Sequence, residues 1–191
     1  CVVNLVDQIV VLHRRLEHVE IPHAFGGAGA LAWCTERARA TIDIDVNLFM
    51  SKDAADDVFA ALPEAVVVTP DDRLAIECDG QTRLWWGPTP VDVFFNTTSF
   101  HSDIATRGRS EHFGGEEVPF LACRDLAVFK AFFARTKDWA DLEEVAAADS
   151  LDVEAVLGVL SQYLGVDDHR IDRLRRISDT IDPAPNKPRT G

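Results

Sequence analysis

The segment Thr41–Asp45, with the sequence TIDID, constrains the fold of this chain more than any other. Side chains two residues apart on a strand point to the same face, so a strand over residues 41–49 would carry Thr41, Asp43 and Asp45 on one face. The isoleucines between them would lie on the opposite face and suit a hydrophobic core. The segment therefore predicts a strand that packs on one side and carries paired carboxylates on the other.

Paired carboxylates on one strand favour a metal site. They stand about 6–7 Å apart and repel each other, and a divalent cation between them removes that repulsion and recruits phosphate oxygens. Two such cations can activate an attacking oxygen and stabilise a leaving pyrophosphate. We therefore predict that Asp43 and Asp45 are metal ligands. The alternative for an Asp-x-Asp pattern taken alone is the solvated face of an edge strand.

Two glycines, Gly26 and Gly27, precede these acids and are followed by a short helix that is predicted to run through Trp33. Glycine lets a phosphate approach the backbone closely, and the N-terminus of a helix attracts anions. Gly26 and Gly27 are therefore predicted to bind phosphate. Their position ahead of the acids favours the metal site over the edge-strand alternative.

A third acid, Asp92, lies in the apolar segment Pro90–Phe95. An unpaired charge is costly to bury, so an acid in such a strand usually has a partner or a metal. We predict that Asp92 is the third metal ligand, with a water-facing acid on an edge strand as the alternative. Asp79 and Asp103 are weaker candidates, and Asp79 is better explained by a turn with Gly80.

Hydrophobic periodicity predicts an α+β fold, in which a mixed sheet with helices is followed by a C-terminal helical part. The α/β core is assigned to residues 1–120, the helical part that would complete the active-site cleft to residues 121–178, and a disordered, proline-containing tail to residues 179–191. The predicted elements are, in order, a helix at 2–19, an extended segment at 21–25, a strand at 41–49, a helix capped by Ser51, a strand at 64–69, a hairpin of 73–78 with 82–86, a strand at 89–95, a loop-rich stretch through Gly115, and three helices from Cys123 to Ser178.

The net charge of −13 argues against broad, non-specific nucleic-acid binding, because phosphate contacts need a basic surface. Local basic patches stay open as an alternative to scattered, solvated charge. The candidate groups are Arg37 with Arg39, Arg107 with Arg109, Arg135 with Lys137, and Arg170 with Arg173, Arg175 and Arg176.

The four cysteines are widely spaced and form no Cys-x-x-Cys pair, so they are predicted to be reduced, mostly structural thiols. No apolar run is long enough to span a membrane, and the opening residues lack the basic region and apolar core of a signal peptide. These features favour a cytoplasmic protein without a membrane partner.

A single helix is predicted over Asp125–Leu142, and it ends in the pattern R-x-K-D-x-x-D-L. In that helix Lys130, Lys137 and Asp141 would share one stripe, beside an apolar stripe that packs on the sheet. The two lysines could then neutralise a triphosphate, with Asp141 holding Lys137 in place. Lysines at a solvent boundary and an ordinary surface pair are the alternatives.

The ordered set of Gly-Gly, helix, Asp-x-Asp, strand acid and Lys-containing helix resembles the AbiEii-like nucleotidyltransferases, the toxins of type IV toxin–antitoxin pairs. The resemblance spans roughly residues 20–165 and implies a nucleotidyltransferase fold. It also implies Mg²⁺-dependent transfer of NMP from an NTP to an RNA acceptor, such as the 3′ end of tRNA, which would block translation. A cognate antitoxin protein would keep the chain silent. Gly27 stands where many members carry Ser, so backbone amides would have to contact phosphate without that hydroxyl.

Two further positions gain meaning from the resemblance. Asp152 could be a catalytic acid, although an acid at the N-terminus of a helix is the simpler interpretation. Thr41 shares the predicted metal face, and a phosphate on its hydroxyl would repel the nucleotide. Modification of Thr41 could therefore control activity, as it does at this place in some relatives.

Two other functions stay open. One is transfer of AMP to a protein or to a small molecule such as an aminoglycoside, which the acidic composition makes credible. The other is a catalytically inactive binding or antitoxin module that keeps the fold. The intact Asp43 and Asp45 pair counts against the second, because a module without catalysis has no need of paired acids.

Overall fold

The computed structural model of the chain describes residues 4–38 and 40–181. Its helices are α1 Leu5–His18, α2 Gly27–Thr35, α3 Ala55–Ala61, α4 Pro70–Asp79, α5 Ser99–Ile104, α6 Cys123–Phe133, α7 Thr136–Ala147, α8 Val153–Leu164 and α9 His169–Ile181, with a short 3₁₀ helix at Lys52–Ala54. Its strands are β1 His23–Phe25, β2 Ile44–Ser51, β3 Val66–Val67, β4 Gln81–Trp86, β5 Thr89–Asn96, β6 Arg109–Phe113 and β7 Glu116–Phe120. Arg39, one of the predicted basic residues, and most of the predicted tail lie outside the described residues.

The chain divides into two compact units. Of the described residues, the first unit takes those within Cys1–Ala30 and Ala38–Ala122, and the second takes those within Leu31–Arg37 and Cys123–Gly191. Helix α2 therefore begins in the first unit and ends in the second. Among the described residues, every helix is too short or too polar to cross a membrane.

The first unit is built on a seven-stranded mixed sheet with the order β3-β4-β5-β2-β1-β7-β6. The pairs β2–β5 and β1–β7 are parallel, and the other neighbouring strands are antiparallel. This mixed sheet with helices confirms the predicted α+β fold. Strands β2 and β5 lie side by side near the centre of the sheet, and their register aligns residue 45 with residue 92.

The alternating pattern predicted for strand β2 is confirmed only over residues 44–46, and residues 46–49 are all buried. Ile44 and Val46 are buried, and on β5 the neighbouring Val91 and Val93 are also buried. Burial of these branched side chains in the core fixes which face of each strand turns outward. The predicted start of the strand is wrong, because β2 begins at Ile44, and Ile42, which was expected in the core, is 75% exposed.

The predicted hairpin between residues 73–78 and 82–86 is wrong, because residues 70–79 form helix α4. The Thr69 side chain accepts a hydrogen bond from the Asp72 amide, and the Asp72 carboxylate accepts one from the Thr69 amide, while Pro70 occupies the first turn. This capping box starts a helix, and Gly80 ends it in a left-handed conformation with a φ of 70°. Asp79 and Gly80 therefore close a helix, and β4 pairs with β5 instead.

The stretch between β5 and Gly115 is more ordered than predicted. It contains helix α5 and strand β6, and β6 pairs with β7 in a hairpin. Gly114 and Gly115 lie at the tip of this hairpin with φ values of 61° and 90°. Such positive values are accessible to glycine and strained for most other residues, so two adjacent glycines make the turn possible.

The second unit contains four helices in residues 123–181, where the sequence predicted three. The helix predicted over residues 125–142 is broken into α6 and α7 at Ala134, which has a φ of 55°. The Asp138 carboxylate accepts a hydrogen bond from the Arg135 amide at 3.1 Å, and the Trp139 indole donates to the Ala134 carbonyl at 3.0 Å. These bonds start a new helix at the point where the pattern of apolar residues suggested continuity.

Cys34 and Cys123 form a disulfide, with Cα atoms 5.5 Å apart, so the prediction of reduced thiols is wrong for this pair. The bond joins the end of α2 to the start of α6 within the second unit. Cys78 is a free, exposed thiol. The two bonded cysteines are separated by 89 residues, and spacing alone carries no signal for a contact made by the fold.

A buried pair of imidazoles joins α1 to β1. His13 Nδ1 and His23 Nε2 are 2.9 Å apart, and His23 Nδ1 is 2.8 Å from the Ile21 carbonyl oxygen. Because a carbonyl oxygen only accepts, His23 carries its proton on Nδ1 and its Nε2 accepts from His13. Burial lowers the pKa of His23 to about 4.

Stability should fall as the pH falls from about 6.5 to about 4. The unfolded chain protonates His23 near pH 6.5, whereas the folded chain holds it neutral down to about pH 4, so protons favour unfolding in this window. The full effect is about 3 kcal/mol, which urea unfolding at a series of pH values would measure. A His23→Asn variant should show a shallower pH dependence, and the exposed His18→Asn variant should retain the wild-type slope. An unchanged slope in His23→Asn would contradict the assignment.

Candidate active site

Asp45 and Asp92 are direct neighbours on the two central parallel strands of the first unit. Asp45 lies on β2 and Asp92 on β5, paired in register, and both are half-buried. Asp43, also half-buried, immediately precedes β2. The three predicted acids therefore belong to one region of the first unit, with Asp43 and Asp45 at the start of β2 and Asp92 on β5.

Arg83 binds this acidic region from strand β4. Its Nε and Nη2 atoms donate to the two carboxylate oxygens of Asp92, each at 2.7 Å, and Nη2 is 3.7 Å from Asp43 Oδ2. The pairing of β4 with β5 sets Arg83 opposite Asp92, which explains the two-pronged geometry. The hydrogen bond with Asp92, followed by the charges of Asp92, Asp43 and Asp45, raises the pKa of Arg83 above its usual value. The three acids and Arg83 thus form one electrostatic cluster, called the Asp43–Arg83 cluster below.

Arg83 was not among the residues predicted from the sequence. The signal that could have found it is the alternation of β4, in which Gln81, Arg83 and Trp85 are exposed between more buried residues. The mistaken hairpin gave β4 the wrong partner and hid the alignment of Arg83 with Asp92.

Gly26 and Gly27 lie against Asp45. The Gly26 amide donates to the Asp45 carbonyl at 2.9 Å, and Gly27 begins α2 with a φ of 54°. A Cβ atom on Gly27 would stand 1.9 Å from Asp45 Oδ2, so glycine alone leaves room for this carboxylate. A serine at position 27, as in many of the AbiEii-like nucleotidyltransferases that the sequence resembles, would not fit in this geometry. Phosphate binding by the two glycines stays a prediction.

Replacing Gly27 by Ser should lower the stability of the chain. A side chain in the left-handed region costs about 1–2 kcal/mol, and here it would also push Asp45 aside. Gly87→Ser is a matched control, because Gly87 also has a positive φ of 60° but has nothing within 4 Å of the added Cβ. Urea unfolding should show a loss of stability in both variants and a larger loss in Gly27→Ser, because only there does a neighbouring carboxylate have to move. Equal losses in the two variants would contradict the Gly27–Asp45 contact.

Thr41 lies at a bend before β2, and its hydroxyl is hydrogen-bonded to Asp43. Its hydroxyl is 3.2 Å from Asp43 Oδ1, and the Asp43 amide donates to the same hydroxyl at 3.2 Å. The expected shared strand face is wrong, because residues 41–43 precede the strand. The contact nevertheless holds the threonine hydroxyl against one of the three acids. Its modification stays a prediction.

The predicted lysines lie on different helices of the second unit. Lys130 on α6 is buried, with Nζ 2.5 Å from Asp141 Oδ2 and 3.7 Å from Asp138 Oδ1. Lys137 is exposed on α7. The expected single stripe is therefore wrong, and Asp141 binds Lys130, a pairing that the sequence did not indicate. Contact of either lysine with a triphosphate stays a prediction.

Asp152 caps helix α8. Its Oδ1 atom accepts a hydrogen bond from the Ala155 amide at 3.0 Å, which satisfies one of the unpaired amides of the first turn. This contact agrees with the simpler interpretation of Asp152 as an acid at a helix N-terminus. A catalytic role for Asp152 stays a prediction.

The Asp43–Arg83 cluster suits a hard divalent cation in its chemistry. Carboxylate oxygens are the ligands that Mg²⁺ prefers, and here a positive group, the Arg83 guanidinium, already pairs with two of the three carboxylates. Across residues 4–38 and 40–181, no group of three or more His, Cys, Asp and Glu side chains is arranged to hold a metal ion as it stands. A cation bound by all three acids would therefore require their side chains to rearrange around Arg83.

No protein-family model matches the chain, and no curated protein matches it in sequence. Solved structures do match. An antigenic nucleotidyltransferase-like protein from Paracoccidioides brasiliensis aligns with a TM-score of 0.50 and 12% identity over 93% of this chain and 88% of that one. The antibiotic-resistance factor ANT(2'')-Ia aligns with a TM-score of 0.43 and 11% identity over 92% of this chain and 82% of that one. With its mixed seven-stranded sheet and helices, this chain has a nucleotidyltransferase-like fold.

Proposed function

We propose that the chain transfers a nucleoside monophosphate from an NTP to an acceptor hydroxyl, with Mg²⁺ held by Asp43, Asp45 and Asp92. The observation that carries this proposal is the register of β2 and β5, which sets Asp45 beside Asp92, within one electrostatic cluster with Asp43. The nucleotidyltransferase-like fold supports it. When bound, Mg²⁺ would supply Lewis-acid stabilisation of the phosphoryl oxygens and of the leaving pyrophosphate.

The residues of the first unit have separate tasks in this proposal. Asp45, with Gly27 packed against it, has a restricted position and would orient the cation. Asp92 lies on the adjoining strand and would complete the ligand set or accept the proton of the acceptor hydroxyl.

For the acceptor we propose RNA, in particular the 3′ end of tRNA, so that transfer would block translation and a cognate antitoxin would restrain it. This part rests on the resemblance to AbiEii-like toxins. The net charge of −13 favours a second candidate, transfer of AMP to a protein or a small molecule, because an acidic surface repels RNA.

Incubation with each of the four α-labelled NTPs, Mg²⁺ and three classes of acceptor would test these functions. Label in purified tRNA supports the RNA acceptor, and label in protein or in an aminoglycoside supports the second candidate. Absence of label from every acceptor would contradict the proposal and favour an inactive binding module. Chelation of Mg²⁺ by EDTA should abolish any transfer, and transfer that persists in EDTA would contradict the metal assignment.

A further inference from the structure

Arg83 binds the Asp92 carboxylate, which is one of the proposed ligands of the metal ion. Both oxygens of Asp92 accept hydrogen bonds from the guanidinium, and the Asp92 side chain is only 18% exposed. An ion that binds Asp92 therefore has to share an oxygen with the Arg83 guanidinium, and the two positive charges repel each other there. The same guanidinium is 3.7 Å from Asp43, so two of the three proposed ligands are involved.

The net charge of the Asp43–Arg83 cluster allows a divalent ion to replace the Arg83 guanidinium. Three carboxylates and one guanidinium have a formal charge of −2, so the cluster still attracts a divalent ion after Arg83 has bound. A two-pronged pair between arginine and a carboxylate is among the stronger ion pairs of proteins, and it opposes that attraction. Arg83 and a divalent ion therefore compete for the negative charge of the same carboxylates.

Arg83 can leave the cluster without disturbing the core. Its side chain is 50% exposed, while the next residue, Leu84, is fully buried and anchors the strand. Trp85, two residues further along and on the same face of β4, is 49% exposed, so open surface lies beside the guanidinium. A flexible arginine on a fixed strand can thus swing aside while its backbone stays in the sheet.

We infer that Arg83 is a built-in competitor of the divalent cation: it binds Asp92 and Asp43 when no cation is present, and the cation displaces it. The inference rests on the proposed function. A released guanidinium would face the phosphates that arrive with the cation and could bind them in two-pronged fashion. Arg83 is in this sense a positioning residue, which makes cation and nucleotide bind better together than either does alone.

Binding of Mn²⁺ to the purified full chain, without nucleotide and followed by electron paramagnetic resonance, tests the inference. Arg83→Gln removes the competing charge and should bind Mn²⁺ about tenfold more tightly than the wild type. Arg73→Gln is the matched control, because Arg73 also pairs with an aspartate in the first unit and is 51% exposed. Its affinity for Mn²⁺ should equal that of the wild type. Adding Asp45→Asn to Arg83→Gln should abolish the gain, which would locate the ion at the cluster.

The outcomes separate this inference from the proposed function. Equal Mn²⁺ affinity of the wild type and Arg83→Gln, with binding lost in Asp45→Asn, would overturn the competition and leave the metal site standing. Absence of Mn²⁺ binding from every variant would overturn both. An equal gain in Arg73→Gln would show a general charge effect and would also overturn the inference.

A measurement on the wild-type protein tests the same displacement without depending on the folding of a variant. The Nε–H resonance of Arg83 should show slow exchange with water while it donates to Asp92 at 2.7 Å. Titration with Mg²⁺ should shift this resonance and speed its exchange, and the Arg73 resonance should not change. A protected Arg83 signal at saturating Mg²⁺ would overturn the displacement.

Discussion

Replacing Asp45 by Asn should lower nucleotidyl transfer about a thousandfold. The substitution keeps the shape of the side chain and removes one of the negative charges that the proposed function assigns to the cation. The substituted side chain would still fit against Gly27, because the crowding there depends on the size of the side chain at position 27. The labelled-NTP assay at saturating Mg²⁺ measures the effect.

The fold of the Asp45→Asn variant should be close in stability to that of the wild type. Loss of the Asp45 charge relieves repulsion with Asp92, its neighbour in register, and weakens the attraction to Arg83, so the two effects oppose each other. Asp103→Asn is the control, since Asp103 is an exposed acid of the first unit on α5. It should transfer at the wild-type rate. An Asp45→Asn enzyme as active as Asp103→Asn would end the assignment of Asp45.

Replacing Lys130 by Met should destabilise the chain by about 3–5 kcal/mol. Lys130 is the buried cation between Asp141 and Asp138, and the Asp138 side chain is 1% exposed. Removal of Lys130 leaves the Asp141 carboxylate, which is only 10% exposed, without the ammonium group that it binds, and this is far more costly than loss of a surface pair. Asp138 keeps its ion pair with Arg135. Urea unfolding at pH 7 measures the difference.

Lys137→Met is the matched control for this prediction. It is the same substitution seven positions along the chain, at an exposed site on α7, and it should change stability by less than about 0.5 kcal/mol. The double variant Lys130→Met with Asp141→Asn should recover part of the loss, because it removes the charge that Lys130 neutralised. A Lys130→Met protein that unfolds at the same urea concentration as Lys137→Met would contradict the structural role.

The features that short-range patterns encode were predictable. Alternation of Asp and Ile marked the start of β2, where Ile44 and Val46 are buried and Asp45 between them is half-buried. Gly26 and Gly27 stood out because adjacent glycines ahead of a helix allow another group to approach the backbone closely, and the Asp45 carboxylate lies in that space at Gly27. Asp92 stood out as an acid in an apolar strand. These signals lie within a few residues of the side chains they describe.

The features that depend on contacts distant in sequence were not predictable. Arg83 depends on the register of β4 with β5, and the Cys34–Cys123 bond spans 89 residues. The break at Ala134 has no proline or glycine to mark it, so the apolar stripe suggested one helix. At α4 two local signals competed, and the capping box at Thr69 outweighed the apparent turn at Asp79 and Gly80.

Because helix α2 begins in one unit and ends in the other, no single cut in the chain separates the two units. Because Leu31–Arg37 belong with the C-terminal helices, a cut between Ala122 and Cys123 would remove those helices from a segment that packs with them. The same cut would leave Cys34 and its partner on different fragments. Recombination at a single crossover therefore cannot exchange the helical unit for another one, and we expect the two units to be inherited, expressed and folded as one continuous piece.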